Sequence, residues 1–149
     1  MITKLGKQKL EESIKSLQKE LTRTYKQRNE AAAEGDLKEN SAYIFMGERA
    51  GVLQSQIDEA LADLKAAVVQ PIPDQFEIIS FGHQVSIVFN EDKRKMTLTL
   101  VGKNDAHLKS DWISTKSPMG EALLGKKKSD EVLVNGQKVT IVDISIGKI

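Results

Sequence analysis

The stretch Gly35-Asp36-Leu37-Lys38-Glu39-Asn40-Ser41-Ala42-Tyr43 sets two carboxylates three residues apart, with an amide and a phenol close behind. If Asp36 to Glu39 enters a helix, the i,i+3 spacing puts both acids on one side of it. Such a pair has an ordinary use, because carboxylates near a helix N-terminus cap orphan N–H groups and favour the dipole. It also has a chemical use, as a pair of acidic groups presented together to a partner. The choice between the two turns on where the flanking elements carry the pair.

Those elements read as two long helices. On the first, a seam runs Leu10, Ile14, Leu17, Leu21, Thr24, Arg28, Ala31; on the second it runs Tyr43, Met46, Ala50, Leu53, Ile57, Ala60, Leu64, Val68. Steps of three and four averaging about 3.5 are the pattern of a left-handed coiled coil. Between them sits Glu34-Gly35-Asp36, where glycine can take the left-handed conformation that ends a helix. A break this short makes the helices antiparallel neighbours. Roughly 30 residues per helix at ~1.5 Å each give a rod of about 45 Å with the acids at its far end. The large seam residues lie at the base, whereas near the turn the first helix offers only Thr24, Arg28 and Ala31.

Pro71-Ile72-Pro73 ends the helical pattern, since two prolines so close favour an extended connection. The expected domains are therefore 1–70, an antiparallel coiled-coil hairpin, and 71–149, a sheet domain. In the second part, Gln84–Phe89 and Lys95–Val101 alternate at period two around the turn Asn90-Glu91-Asp92. Ser117-Pro118 ahead of Met119–Leu124 and Gly125 supplies a cap, a first-turn proline and a closing glycine for a short helix. Asn135-Gly136 between Glu131–Val134 and Gln137–Ile141 marks a tight hairpin. The fold class is α+β, with an antiparallel sheet packed on one short helix.

Composition narrows the partners. The chain has 149 residues, no cysteine and a net charge of +1. Disulfides and thiolate metal sites are excluded. Charge is balanced within each part, with 11 basic and 11 acidic residues in 1–69 and 11 and 10 in 70–149. A protein that lives on duplex nucleic acid normally shows a basic excess, so any nucleic acid is expected to be held by another partner. No apolar run is long enough for a signal peptide or a membrane helix, which points to the cytoplasm and no membrane partner. The hairpin buries its own seam, so a monomer is expected.

The motif Gly35–Asn40 with Ala42-Tyr43 resembles the tip loop of the Gre family of bacterial transcript-cleavage factors. So do Ile2-Thr3 through Glu12, Ser80–Val85, Val101-Gly102, Ile113-Ser114 and Ser117–Lys126, in order along essentially the whole chain. The resemblance implies that the second domain is FKBP-like and docks at the mouth of the secondary channel of bacterial RNA polymerase. The hairpin would then pass down the channel, and tip acids would help hold a second Mg²⁺ and a water while the polymerase cleaves its own backtracked nascent RNA. Asp36 and Glu39 match those acids, with Asn40 and Tyr43 shaping the tip. Mg²⁺ needs six oxygen ligands, so two carboxylates suffice only where a partner supplies the rest. By itself the protein would be neither a nuclease nor a holder of a cofactor.

Lys26, Arg28, Lys38 and Arg49 are the cations near the tip that could meet RNA phosphates, or else form a solvated face. Ser117, Pro118 and Met119 are a helix cap first, and by resemblance part of a polymerase-docking surface. Three departures from the family pattern stand out: Thr24–Asn29 lacks a common Arg-Pro, the first helix is about a residue short, and Glu121 replaces a common arginine. Two other functions fit parts of the chain. A non-cleaving binder of the same channel would inhibit or modulate the polymerase, but need not keep the Asp36…Glu39 pair. A peptidyl-prolyl isomerase is suggested only by the second domain's fold, which does not fix function. His83, His107, Trp112 and Lys126–Lys128 read as ordinary structural residues.

Overall fold

The computed structural model describes the backbone of every residue except Gly35 and Asp36, and the side chains of all residues outside 34–40. Two compact units are present: Gln8–Ala67, and Met1–Lys7 together with Val68–Ile149. The first seven residues therefore group with the sheet, although the proline boundary alone would place them with the helices.

Helices α1 (Lys4–Glu34) and α2 (Leu37–Ala66) form the hairpin. Every α1 seam position from Leu10 to Ala31 is buried or half-buried, as is every α2 seam position from Tyr43 to Leu64. Ile14, Ala50, Leu53 and Ile57 are the most enclosed apolar residues, with Leu53 at 0% exposure. The seam stops short of Val68, because α2 ends at Ala66 and the Val68 side chain is exposed. Thr24 is buried at 5% exposure; its hydroxyl donates to the Glu20 carbonyl at 2.8 Å, so no polar atom is stranded there.

In the second unit, strands β1 (His83–Phe89), β2 (Lys95–Val101), β3 (Trp112–Ser114), β4 (Glu131–Val134) and β5 (Gln137–Ile146) form one sheet in the order β3-β2-β1-β5-β4. Neighbours from β2 to β4 are antiparallel, whereas β3 pairs parallel with β2, aligning Thr99 with Trp112. The sheet is thus mixed, not wholly antiparallel. The parallel pairing follows from the crossover between β2 and β3, which contains a single 3₁₀ turn, Ala106–Leu108. Asn135 and Gly136 both take positive φ, 50° and 80°, as a two-residue hairpin with matching twist requires.

Alternation decides the core. Val85, Ile87 and Phe89 of β1, Leu98 and Leu100 of β2, and Val139, Ile141 and Ile144 of β5 are buried together with Leu123 of α3 (Pro118–Leu123). A second cluster holds Phe81, Val101 and Trp112, with Leu5, Leu108 and Ile149 packed beside it. His83, at 0% exposure, is fixed at both nitrogens. Nδ1 accepts from the Ser80 N–H at 3.0 Å, so Nε2 carries the proton and donates to the Pro73 carbonyl at 2.9 Å.

One arrangement gives no local signal in the sequence. The Asp105 carboxylate, fully buried, accepts from the Thr3 N–H, from the Thr3 hydroxyl at 2.6 Å and from the Gly102 N–H at 3.0 Å. Thr3 Oγ1 in turn accepts from the Gly6 N–H at 2.9 Å, which caps the first turn of α1. Gly6 has no room for a side chain, since a Cβ there would overlap Asp105 Oδ1.

Candidate functional site

The acidic motif falls at the turn of the hairpin: α1 ends at Glu34 and α2 begins at Leu37. Asp36 lies outside the described residues, as do the side chains of Lys38, Glu39 and Asn40. What surrounds the turn is described. Tyr43, half-buried, lies one helical turn beyond Glu39 in α2. Its hydroxyl accepts from Arg28 Nη2 at 2.8 Å, and the Arg28 guanidinium carbon lies 4.4 Å from the Tyr43 ring centroid. That contact combines a charge-assisted hydrogen bond with a cation–π interaction.

Among the described residues, the tip-proximal cations Lys26, Arg28 and Arg49 stand in different settings. Lys26 is exposed on α1. Arg28 occupies the seam and is held against Tyr43, with Gly47 leaving space beside its guanidinium. Arg49 is ion-paired to Glu20, about two turns further from the tip on α1, with both side chains more than two-fifths exposed. The sequence marks Arg28 as a charged residue in an apolar seam, but its pairing with Tyr43 becomes visible only once the two helices are in register.

In the second unit, Ser117 caps α3. Its Oγ accepts from the Gly120 N–H at 3.0 Å and donates to the Ser114 carbonyl at 2.7 Å. Pro118 is exposed at the first helical position, and Met119 packs partly against the main core. Gly120 is sterically required, because a Cβ there would overlap the Ser114 carbonyl oxygen. Ser117 and Pro118 thus sit on a rigid, capped turn with one exposed side. Lys128 approaches Asp143 at 4.0 Å, an exposed pair of little energetic weight.

Among the described residues, no group of three or more His, Cys, Asp or Glu could hold a metal ion. No described helix is long and apolar enough to cross a membrane.

Comparison with known proteins places both parts of the chain. Residues 1–69 match the family described as Transcription elongation factor, N-terminal, and residues 74–146 match Transcription elongation factor, GreA/GreB, C-term. The chain belongs to the GreA/GreB transcription elongation factor family. Among curated members, the transcription elongation factor GreA of Maridesulfovibrio salexigens is 37% identical over 92% of this chain and 86% of its own length. The GreA of Novosphingobium aromaticivorans is 33% identical over 92% and 89%. Among solved structures, the GreA factor homolog 1 (Gfh1) of Thermus thermophilus aligns over 97% of both chains at 23% identity and a TM-score of 0.45. Within this GreA/GreB-family chain, then, a two-helix hairpin and a sheet with one short helix occur together, as the sequence motifs imply, although the sheet is mixed where an antiparallel one was expected.

Proposed function

We propose that this protein is an elongation factor that enters the secondary channel of bacterial RNA polymerase and stimulates the polymerase's cleavage of backtracked RNA near its 3′ end. One observation supports this reading above the others. The Asp36…Glu39 motif spans the junction between helices of 31 and 30 residues, with position 36 in the two-residue break and position 39 in the first turn of α2. Helix capping alone does not call for so long a stalk.

The donor set fits a hard cation, since Asp36 and Glu39 offer carboxylate oxygens and no sulfur or imidazole. They would hold a Mg²⁺ shared with the polymerase, which would supply charge neutralisation at the attacking and leaving oxygens when bound. The chain's own part is to carry the acids, orient them and leave the remaining ligands to its partner. The protein is thus a cofactor of the polymerase's nuclease activity and works in the cytoplasm as a monomer. Asn40 and Tyr43 shape the tip, Lys26, Lys38 and Arg49 are the cations available to RNA phosphates, Arg28 being held in the seam against Tyr43, and Ser117, Pro118 and Met119 belong to the docking surface of the second unit.

Asp36→Ala and Glu39→Ala test the assignment. Each is expected to abolish cleavage stimulation in a stalled complex while still competing with the unaltered protein for the polymerase. Full stimulation by both variants would remove the acids from the mechanism.

A further inference from the structure

We propose that Arg28 is a positioning residue for the tip: it acts through Tyr43 to fix the first turns of α2, which present the acidic motif. This rests on the cleavage-cofactor reading above. Four observations converge. Arg28 stands at a seam position, where a coiled coil favours an apolar side chain. Its Nη2 donates to the Tyr43 hydroxyl at 2.8 Å, and its guanidinium stacks on the same ring. Its Nε is buried and meets no acceptor among the described residues. Gly47 borders the guanidinium, and an added Cβ would lie 3.5 Å from Nε and 3.6 Å from Cζ, so anything larger than alanine would crowd it.

Stability does not explain this set. A half-buried charged group in an apolar seam, with one buried donor that meets no acceptor among the described residues, is often worth no more than an apolar residue of similar size. A glycine inside α2 weakens the helix further. What the arrangement does provide is a defined place for Tyr43. The rest of the α1 seam near the turn, Thr24 and Ala31, has small side chains that could not grip a ring. Tyr43 lies one helical turn beyond residue 39 along the α2 backbone. Holding the Tyr43 ring therefore limits rotation and fraying of the turn that carries the acids. Arg28 is in this sense turned inward, and its contribution to cleavage passes through α2 and not through RNA phosphates.

The experiment uses the full chain with Arg28→Leu, Arg28→Lys, Tyr43→Phe and the Arg28→Leu/Tyr43→Phe pair. Maximal cleavage rate and half-saturating concentration are measured in a backtracked polymerase complex with Mg²⁺. Urea midpoints and amide hydrogen exchange at residues 41–47 are measured on the protein alone. Arg28→Leu is expected to keep or raise the urea midpoint and to keep the half-saturating concentration. Its maximal rate should fall on the order of tenfold, since small misplacements of reacting groups are amplified in rate, and exchange at 41–47 should quicken. Arg28→Lys, which can still donate to the hydroxyl, should recover part of the rate, and the double variant should be no slower than Arg28→Leu. An unchanged maximal rate and unchanged exchange in Arg28→Leu would overturn the proposal. So would a raised half-saturating concentration at full maximal rate, which would mark a direct contact with polymerase or RNA. A loss of rate that merely follows a lowered urea midpoint would also overturn it. If the unaltered protein stimulates no cleavage, the functional reading fails on its own, and hydrogen exchange still decides whether Arg28 holds the turn.

Discussion

Gly6→Ala sets helix propensity against packing, and the structure decides the sign. Gly6 lies in the first turn of α1, where alanine is favoured over glycine by about 1 kcal/mol in a helix interior. A Cβ at this position would overlap Asp105 Oδ1 and come within 3.1 Å of Ile2 Cγ1. The carboxylate would have to swing away from the Thr3 N–H, the Thr3 hydroxyl and the Gly102 N–H. Hydrogen bonds to a charged group are worth about 1.5–3 kcal/mol each, so losing two of the three costs about 3 kcal/mol or more. The net expectation is a loss of about 2 kcal/mol or more despite the better helix former. Urea unfolding followed by Trp112 fluorescence reads it directly, since Trp112 is the only tryptophan and packs in the cluster that includes Leu5. With m near 2 kcal/mol per M, the midpoint should fall by about 1 M. In an Asp105→Ala background the obstructing oxygen is gone, and the same Gly6→Ala change should be close to neutral. A raised midpoint for Gly6→Ala in the unaltered chain would refute the reasoning, as would equal losses in both backgrounds.

Two further expectations concern the elements that carry the candidate site. Leu53→Ala empties a fully buried seam position and should cost about 2–5 kcal/mol, seen as a lower midpoint in helical circular dichroism; a loss below 1 kcal/mol would mean the seam is not packed there. Ser117→Ala removes the α3 cap and should cost about 1 kcal/mol. Gly120→Ala should cost more than the cap does, because its Cβ would overlap the fixed Ser114 carbonyl; thermal melts that rank the two the other way would contradict the geometry.

Much of this architecture is legible in the sequence, for reasons that differ by element. The hairpin is readable because its seam repeats every three to four residues from Leu10 to Leu64, and the structure buries or half-buries those positions. The Asn135-Gly136 turn is readable because its two positive φ values favour those residue types. The Ser117 cap is readable because its partner, Gly120, is three residues away. The parallel pairing of β3 with β2 is not, since three residues carry too little alternation to fix a direction. Neither is the Thr3–Asp105 contact, whose partners are 102 residues apart with nothing local to either that points to the other. Arg28 lies between these cases: its place in the seam is evident as a break in the pattern, while its hold on Tyr43 depends on the register of the two helices. The acids Asp36 and Glu39 are named by the motif, and the helices fix where the motif falls in the chain.

The most direct test of the central claim is RNA cleavage in a stalled, backtracked polymerase complex with Mg²⁺, with and without this protein. The account predicts faster release of short 3′ fragments, and no such acceleration when Asp36 is alanine. Inhibited elongation without acceleration would contradict the cleavage role and mark a channel-blocking member of the family.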